Sequence, residues 1–140
     1  MFWNKVITLY NKYEDEQTGL IKWYRHVLQN CFYKVTDNTV NVAGVQLQTN
    51  DNIIRIPAQP NYITPHMWLE LQDAERDNYM TLKSGDLIVL GAVDTDIDEY
   101  TSGKRSSDLI AKYKTIGSVF VKSVNINDFM CGPHYYVRSV

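Results

Sequence analysis

Asp94-Thr-Asp-Ile-Asp98, followed by Glu99, sets carboxylates at alternate positions, the pattern by which oxygen ligands gather a divalent cation. An EF-hand loop read from Asp94 requires Gly at its sixth position and Glu at its twelfth. Those positions hold Glu99 and Arg105. The match fails, and Lys104 and Arg105 directly behind it make a partly self-neutralised, solvated loop the better reading. A looser carboxylate site is its alternative. Among His26, His66 and His134, His134 stands three residues after Cys131, a spacing that zinc ligands use. A lone Cys-x-x-His is half a zinc site at most.

Glu70, Asp73, Glu75 and Asp77 offer carboxylates for acid/base work, yet a run with Arg76 inside it reads as a solvated face. Ser84-Gly85 lacks the Gly-x-Ser-x-Gly frame of a nucleophile elbow. The seven glycines form neither a phosphate cradle nor a dinucleotide fingerprint. The expectation is a protein that is not an enzyme and has no cofactor and no metal. Aromatic residues carry more information. Tyr62 and Trp68 lie in or beside a segment stiffened by Pro57, Pro60 and Pro65; Tyr100 lies in the acidic loop and Tyr113 at the end of a short helix. All four are candidate oligomer-interface anchors, the alternative being that they cover the ends of the fold.

The elements that must position these residues are mostly strands. At 140 residues the chain fits one domain, residues 1–140. Net charge of −2 excludes a globally basic nucleic-acid footprint. No stretch approaches a membrane span, and the first residues lack a signal-peptide core. Cys31 and Cys131 read as two free thiols in a reducing compartment.

Val6–Val35 reads as a long β-ribbon turned by the acidic Glu14–Gly19, with apolar residues on both faces of its first arm. Its second arm changes phase near Val27–Leu28, which marks a bend or bulge. Turns are expected at Asp37–Thr39 and Thr49–Asn52, with Gly44 as a bulge in a strand Val40–Gln48. Ile53–Ile56, Leu87–Leu90, Ser118–Val124 and His134–Val140 are further strands. Thr64-Pro65 is a helix start; Met67–Asp77 fits a strand or a helix equally. One short helix is expected at Leu109–Tyr113, capped by Ser106, Ser107 or Asp108. The sum is mainly β: a small β-barrel of six to eight strands, one short helix and long loop excursions.

Several of these segments, in this order, resemble a known family. They are Thr8–Lys12, Thr18-Gly19, Trp23-Tyr-Arg-His-Val-Leu-Gln-Asn-Cys31, Ile53-Ile-Arg-Ile-Pro57, Ser84-Gly-Asp-Leu-Ile-Val-Leu-Gly91 and Val119-Phe-Val-Lys-Ser-Val124. The set is similar to the head-closure or head–tail joining (connector) proteins of tailed phages, leaving out Ala58–Met80 and Thr95–Thr115. The resemblance implies a non-enzymatic virion protein, made in the bacterial cytoplasm. It also implies a homo-oligomeric ring contacting portal, adaptor and tail proteins, with at most non-specific contact with channel DNA. A minor capsid or tail-completion protein is the near alternative. The alternative of another class is a monomeric β-barrel module binding peptide or sugar, with Tyr62, Trp68 and Tyr100 lining a groove.

Overall fold

The computed structural model describes residues 4–113, 118–127 and 134–139. Six strands close a barrel: β1 (Lys5–Glu14), β2 (Ile21–Val42), β3 (Val45–Pro57), β4 (Leu87–Leu90), β5 (Ser118–Asn127) and β6 (His134–Ser139). Their order around it is β1-β2-β3-β6-β5-β4, every pairing antiparallel. The mainly-β barrel expected from the sequence is therefore the fold. Among the described residues three short helices, rather than one, sit in the excursions: α1 (Pro65–Glu70), α2 (Asp73–Arg76) and α3 (Ser106–Lys112).

The turn at the first hairpin is built by Asp15. Its carboxylate accepts the Gln17 and Thr18 N–H groups (2.8 and 3.2 Å), and its carbonyl accepts the Gly19 N–H (2.8 Å). Gly19 follows at φ +71°, a backbone state glycine adopts without penalty. Alternation along β1 then divides two cores. Ile7 and Leu9 face the barrel interior with Leu28, Ile54, Ile56, Ile88, Val121 and Val137. Tyr10 belongs to a second cluster with Trp23, Leu87, Val89, Val93, Ile97 and Leu109, under the excursion that follows β4. Apolar residues on both faces of β1 thus have covers on both faces.

β2 serves both halves of the barrel. Residues up to Cys31 pair with β1, and residues from Phe32 pair with β3. The switch is a bulge: Lys5 pairs with Cys31 but Ile7 with Leu28, so β2 carries one extra residue. Asn30, at φ +59°, supplies the left-handed step. The expected bend is present, two residues beyond Val27–Leu28.

Two expected turns are corrected. Asp37–Thr39 and Thr49–Asn52 lie within β2 and β3 and pair across the same ladder, Asp37 with Asn50 and Asn38 with Thr49. Chain reversal occurs at Ala43-Gly44, both at positive φ (51° and 81°), between the Val42–Val45 pair. Gly44 is a turn residue, not a bulge. Two residues at positive φ twist the way the flanking strands twist, which is why this dipeptide closes the hairpin. Met67–Asp77 resolves into α1 and α2, with Pro65 in the first turn of α1. α3 begins at Ser106, and Asp108 reaches back to the Arg105 N–H (3.1 Å).

Candidate functional site

The two excursions, Ala58–Met80 and the segment after Gly91, bring the chain's charged and aromatic residues onto the barrel. The first closes one barrel end. Trp68 is fully buried there, its Nε1–H donating to the Tyr79 carbonyl (3.1 Å). Tyr24 and Tyr13 meet its ring edge-on, with centroids 5.4 and 6.3 Å away. The buried Arg76 guanidinium lies 3.6 Å from the Tyr13 ring centre and donates to the Leu69 carbonyl (3.2 Å). Lys83 Nζ stands 4.8 Å from the Trp68 ring centre. A tryptophan at this position fills the mouth, and the cations over its neighbours' faces are held by the ring quadrupoles.

Beneath the mouth sits Asp86, without exposed surface. Its carboxylate accepts from Asn11 Nδ2 (2.8 Å), the Lys12 N–H (2.9 Å), the Lys83 N–H (3.1 Å) and Lys83 Nζ. Asn11 in turn bridges to Thr81, donating to its carbonyl (2.6 Å) and accepting from its N–H (3.3 Å). Burial pushes the Asp86 carboxyl up and the Lys83 amine down, while their mutual attraction opposes both shifts. The backbone and amide donors aimed at Asp86 leave its oxygens only the accepting role, so the carboxylate is the ionised form. It knots β1, the Lys83–Asp86 turn and the end of the first excursion together.

The second excursion is fastened to the outer face. Thr8 Oγ1 donates to the Gly91 carbonyl and accepts the Val93 N–H, both at 2.8 Å. Tyr10 donates to the Thr95 carbonyl (2.6 Å), and burial pushes its phenol up to about 12. Glu99 accepts from Trp23 Nε1 (3.1 Å) and from the Ser106 N–H (2.8 Å).

The sequence-chosen residues do not form one site. Trp68 is corrected as an interface anchor: with no exposed surface it has nothing to offer a partner. Tyr62 stacks on Tyr135, centroids 4.3 Å apart, as a lid on the interior core. Tyr113 packs half-buried against the second cluster. Tyr100 is 60% exposed, and its hydroxyl accepts the Ile21 N–H (2.8 Å). It borders a groove of about 350 Å³ shared with Tyr13, Tyr24, Leu20 and Arg76. Tyr62, Trp68 and Tyr100 therefore do not line one groove together.

The carboxylates are dispersed as well. Asp96 pairs with Arg25 (3.0 Å), and Asp98 is turned onto the Tyr100 N–H (3.0 Å) and Thr101 hydroxyl (2.8 Å), which hold it below the usual carboxylate range. Asp73 is held low by Lys22 (2.8 Å) and then by the Tyr24 hydroxyl; Glu70 faces His66 (3.3 Å). Among the described residues no group of three or more His, Cys, Asp or Glu converges to hold a metal ion. Cys31 is a buried free thiol that burial pushes up to about 12, so it packs as a small hydrophobe. Cys131 lies outside the described residues. No helix among them is long and apolar enough to cross a membrane.

Sequence reasoning missed Arg76 and Asp86. Arg76 stood in a run of carboxylates that looked solvated. Asp86 carried one available signal, its place after the Gly85 turn and before the unbroken apolar β4, where a polar residue is committed to burial.

A family model described as "Family of unknown function (DUF6751)" matches residues 2–140, and the chain belongs to that family. No curated protein and no solved structure matches it.

Proposed function

We propose, for this member of the DUF6751 family, a structural role in a tailed-phage virion: a head–tail connector subunit that self-associates into a ring around the DNA channel. Portal, adaptor and tail proteins are its neighbours in this reading. The observation that carries it is a two-stranded arm. From Thr36–Asp51 to Val42–Val45, seven pairs, β2 and β3 have only each other among the described residues; β6 joins β3 no earlier than Asn52. At about 3.4 Å per residue the arm extends about 24 Å past the barrel.

An isolated two-stranded ribbon is marginal in water. Lysine and proline, the usual guards of an open edge, are absent from Thr36 to Asp51, and no charged residue occurs between Asn38 and Asn50. Such an arm is suited to completion by a neighbour. The barrel itself supports the reading in a second way. The segments that resemble connector proteins fall mainly on β1, β2, β3, β4 and β5, whereas the two excursions outside the resemblance wrap around it. Head-to-tail contacts of unlike surfaces close into rings, and a protruding arm on one side of a compact body provides that asymmetry.

Native mass spectrometry of the chain, alone and with a portal–adaptor assembly, tests the proposal. The expected result is a closed homo-oligomer in at least one condition. A variant with Asn38–Thr49 replaced by Asn-Gly keeps the barrel and is expected to remain monomeric. A full-length chain that stays monomeric in both conditions sinks the reading.

A further inference from the structure

The first excursion has two unlike sides. Inward it buries Trp68, Arg76 and Met80; outward it leaves Met67 (54%), Leu69 (43%) and Tyr79 (41%) exposed. Ile63, Met67, Leu71 and Tyr79, with Glu75 and Asn78, line an open groove of about 470 Å³. Its walls are fixed by backbone bonds. The Ile63 N–H donates to the Met80 carbonyl (3.0 Å), the Met80 N–H to Asn61 (3.1 Å), the Leu71 N–H to Trp68 (3.2 Å) and the Asn78 N–H to Glu75 (3.0 Å). The buried Trp68 beneath locks the Tyr79 carbonyl. A groove already formed is filled without a large ordering cost.

Charge selects what fills it. Between Ala58 and Met80 the chain has Glu70, Asp73, Glu75 and Asp77, against Arg76 as the single Lys or Arg. Arg76 is buried on the other side. Asp73 is answered by Lys22 and Glu70 by His66. Glu75, on the lining of the groove, is exposed and makes no salt bridge among the described residues, whereas Asp77 lies in a separate cleft with Lys22, Tyr24 and Arg25. An apolar groove edged by an uncompensated carboxylate, on an excursion of net negative charge, disfavours nucleic acid and anionic lipid surfaces and complements a cation flanking an apolar side chain.

We propose that this groove docks a basic amphipathic segment of a partner protein. Apolar side chains enter between Met67, Leu71 and Tyr79, and a flanking Lys or Arg group lies over Glu75. The site is complete on one chain, so it does not depend on ring formation. The test is a fluorescence-anisotropy titration of the whole protein with a labelled amphipathic Leu/Lys peptide and its Leu/Glu counterpart. Saturable binding of the Leu/Lys peptide alone is expected. Met67→Ser with Tyr79→Ser should weaken it by about tenfold or more; Glu75→Gln should weaken it and flatten its salt dependence. All three residues are exposed, so circular dichroism of each variant should match the parent. Equal binding of the Leu/Glu peptide would overturn the proposal. So would unchanged affinity in the Met67/Tyr79 variant, or an equal loss from Asp94→Asn with Asp96→Asn on the other excursion.

Discussion

Asp86 ties its own turn to β1 through four donors, and its burial makes each of those bonds expensive to leave unmade. Asp86→Ala removes the acceptor of the Lys83 ammonium, of the Lys12 and Lys83 N–H groups and of one Asn11 amide hydrogen together. Breaking a buried charged pair by removing one partner costs about 3–5 kcal/mol, and urea denaturation should show a loss of that order. A loss below about 1 kcal/mol would mean that water replaces the carboxylate. His26 makes a different prediction. It lies opposite Leu9 on the interior-facing register, and its Nε2 is buried without a partner. Burial lowers its pKa, aided by Arg25 and opposed by Asp77. A depressed folded pKa contributes stability that is present above the unfolded value near 6.5 and is lost as pH falls through the folded value. The parent protein should therefore lose more thermal stability than His26→Gln on acidification below about pH 6.5. Parallel melting curves for the two proteins across that window would exclude His26 as the cause.

At the scale of elements, the bulge in β2 isolates a backbone effect. Asn30 is exposed and sits at φ +59°. Its side chain buries little, so substitution tests the left-handed conformation almost alone. Asn30→Gly should be near neutral, while Asn30→Val should cost about 1–2 kcal/mol in a denaturant titration. Equal stabilities would show that β2 can switch partners without the bulge. This bend was legible in the sequence, because the apolar phase of Trp23–Cys31 has to change where β2 leaves β1 for β3. The acidic first turn, β4 and the strand at β5 were legible for similar reasons: alternation or an apolar run bounded by Gly or Asp. The two false turns were not recoverable from local chemistry. Asp37-Asn-Thr39 and Thr49-Asn-Asp-Asn52 are favourable turn sequences, but they face each other across one ladder, and pairing over the Ala43-Gly44 reversal overrides the local preference. Trp68 was misread for a related reason. A short helix of six residues has no periodicity from which a buried side can be told from an exposed one.

For the molecule as a whole, the division into a filled barrel, an outer cluster and a bare arm implies three levels of local stability. Interior strands carry fully buried Ile7, Leu9, Ile54, Ile56, Ile88 and Val137 on a ladder that closes on itself. The second excursion is held over Tyr10, Leu87 and Val89 by one apolar layer and by side-chain bonds from β1 and β2. The arm from Thr36 to Asp51 has a single ladder among the described residues. Amide protection follows the number of buried contacts and paired neighbours that must be lost for a segment to open. In the isolated chain, hydrogen exchange should be slowest at the interior strands, intermediate from Val93 to Tyr113, and fastest along the arm. Assembly by way of the arm then predicts a selective change. In the oligomer, amides between Thr36 and Asp51 gain protection of about tenfold or more, while those of β1 and β4, already near the global limit, change little. An arm as protected as the barrel in the isolated monomer would already be complete, and would remove the physical reason for a neighbour to bind it.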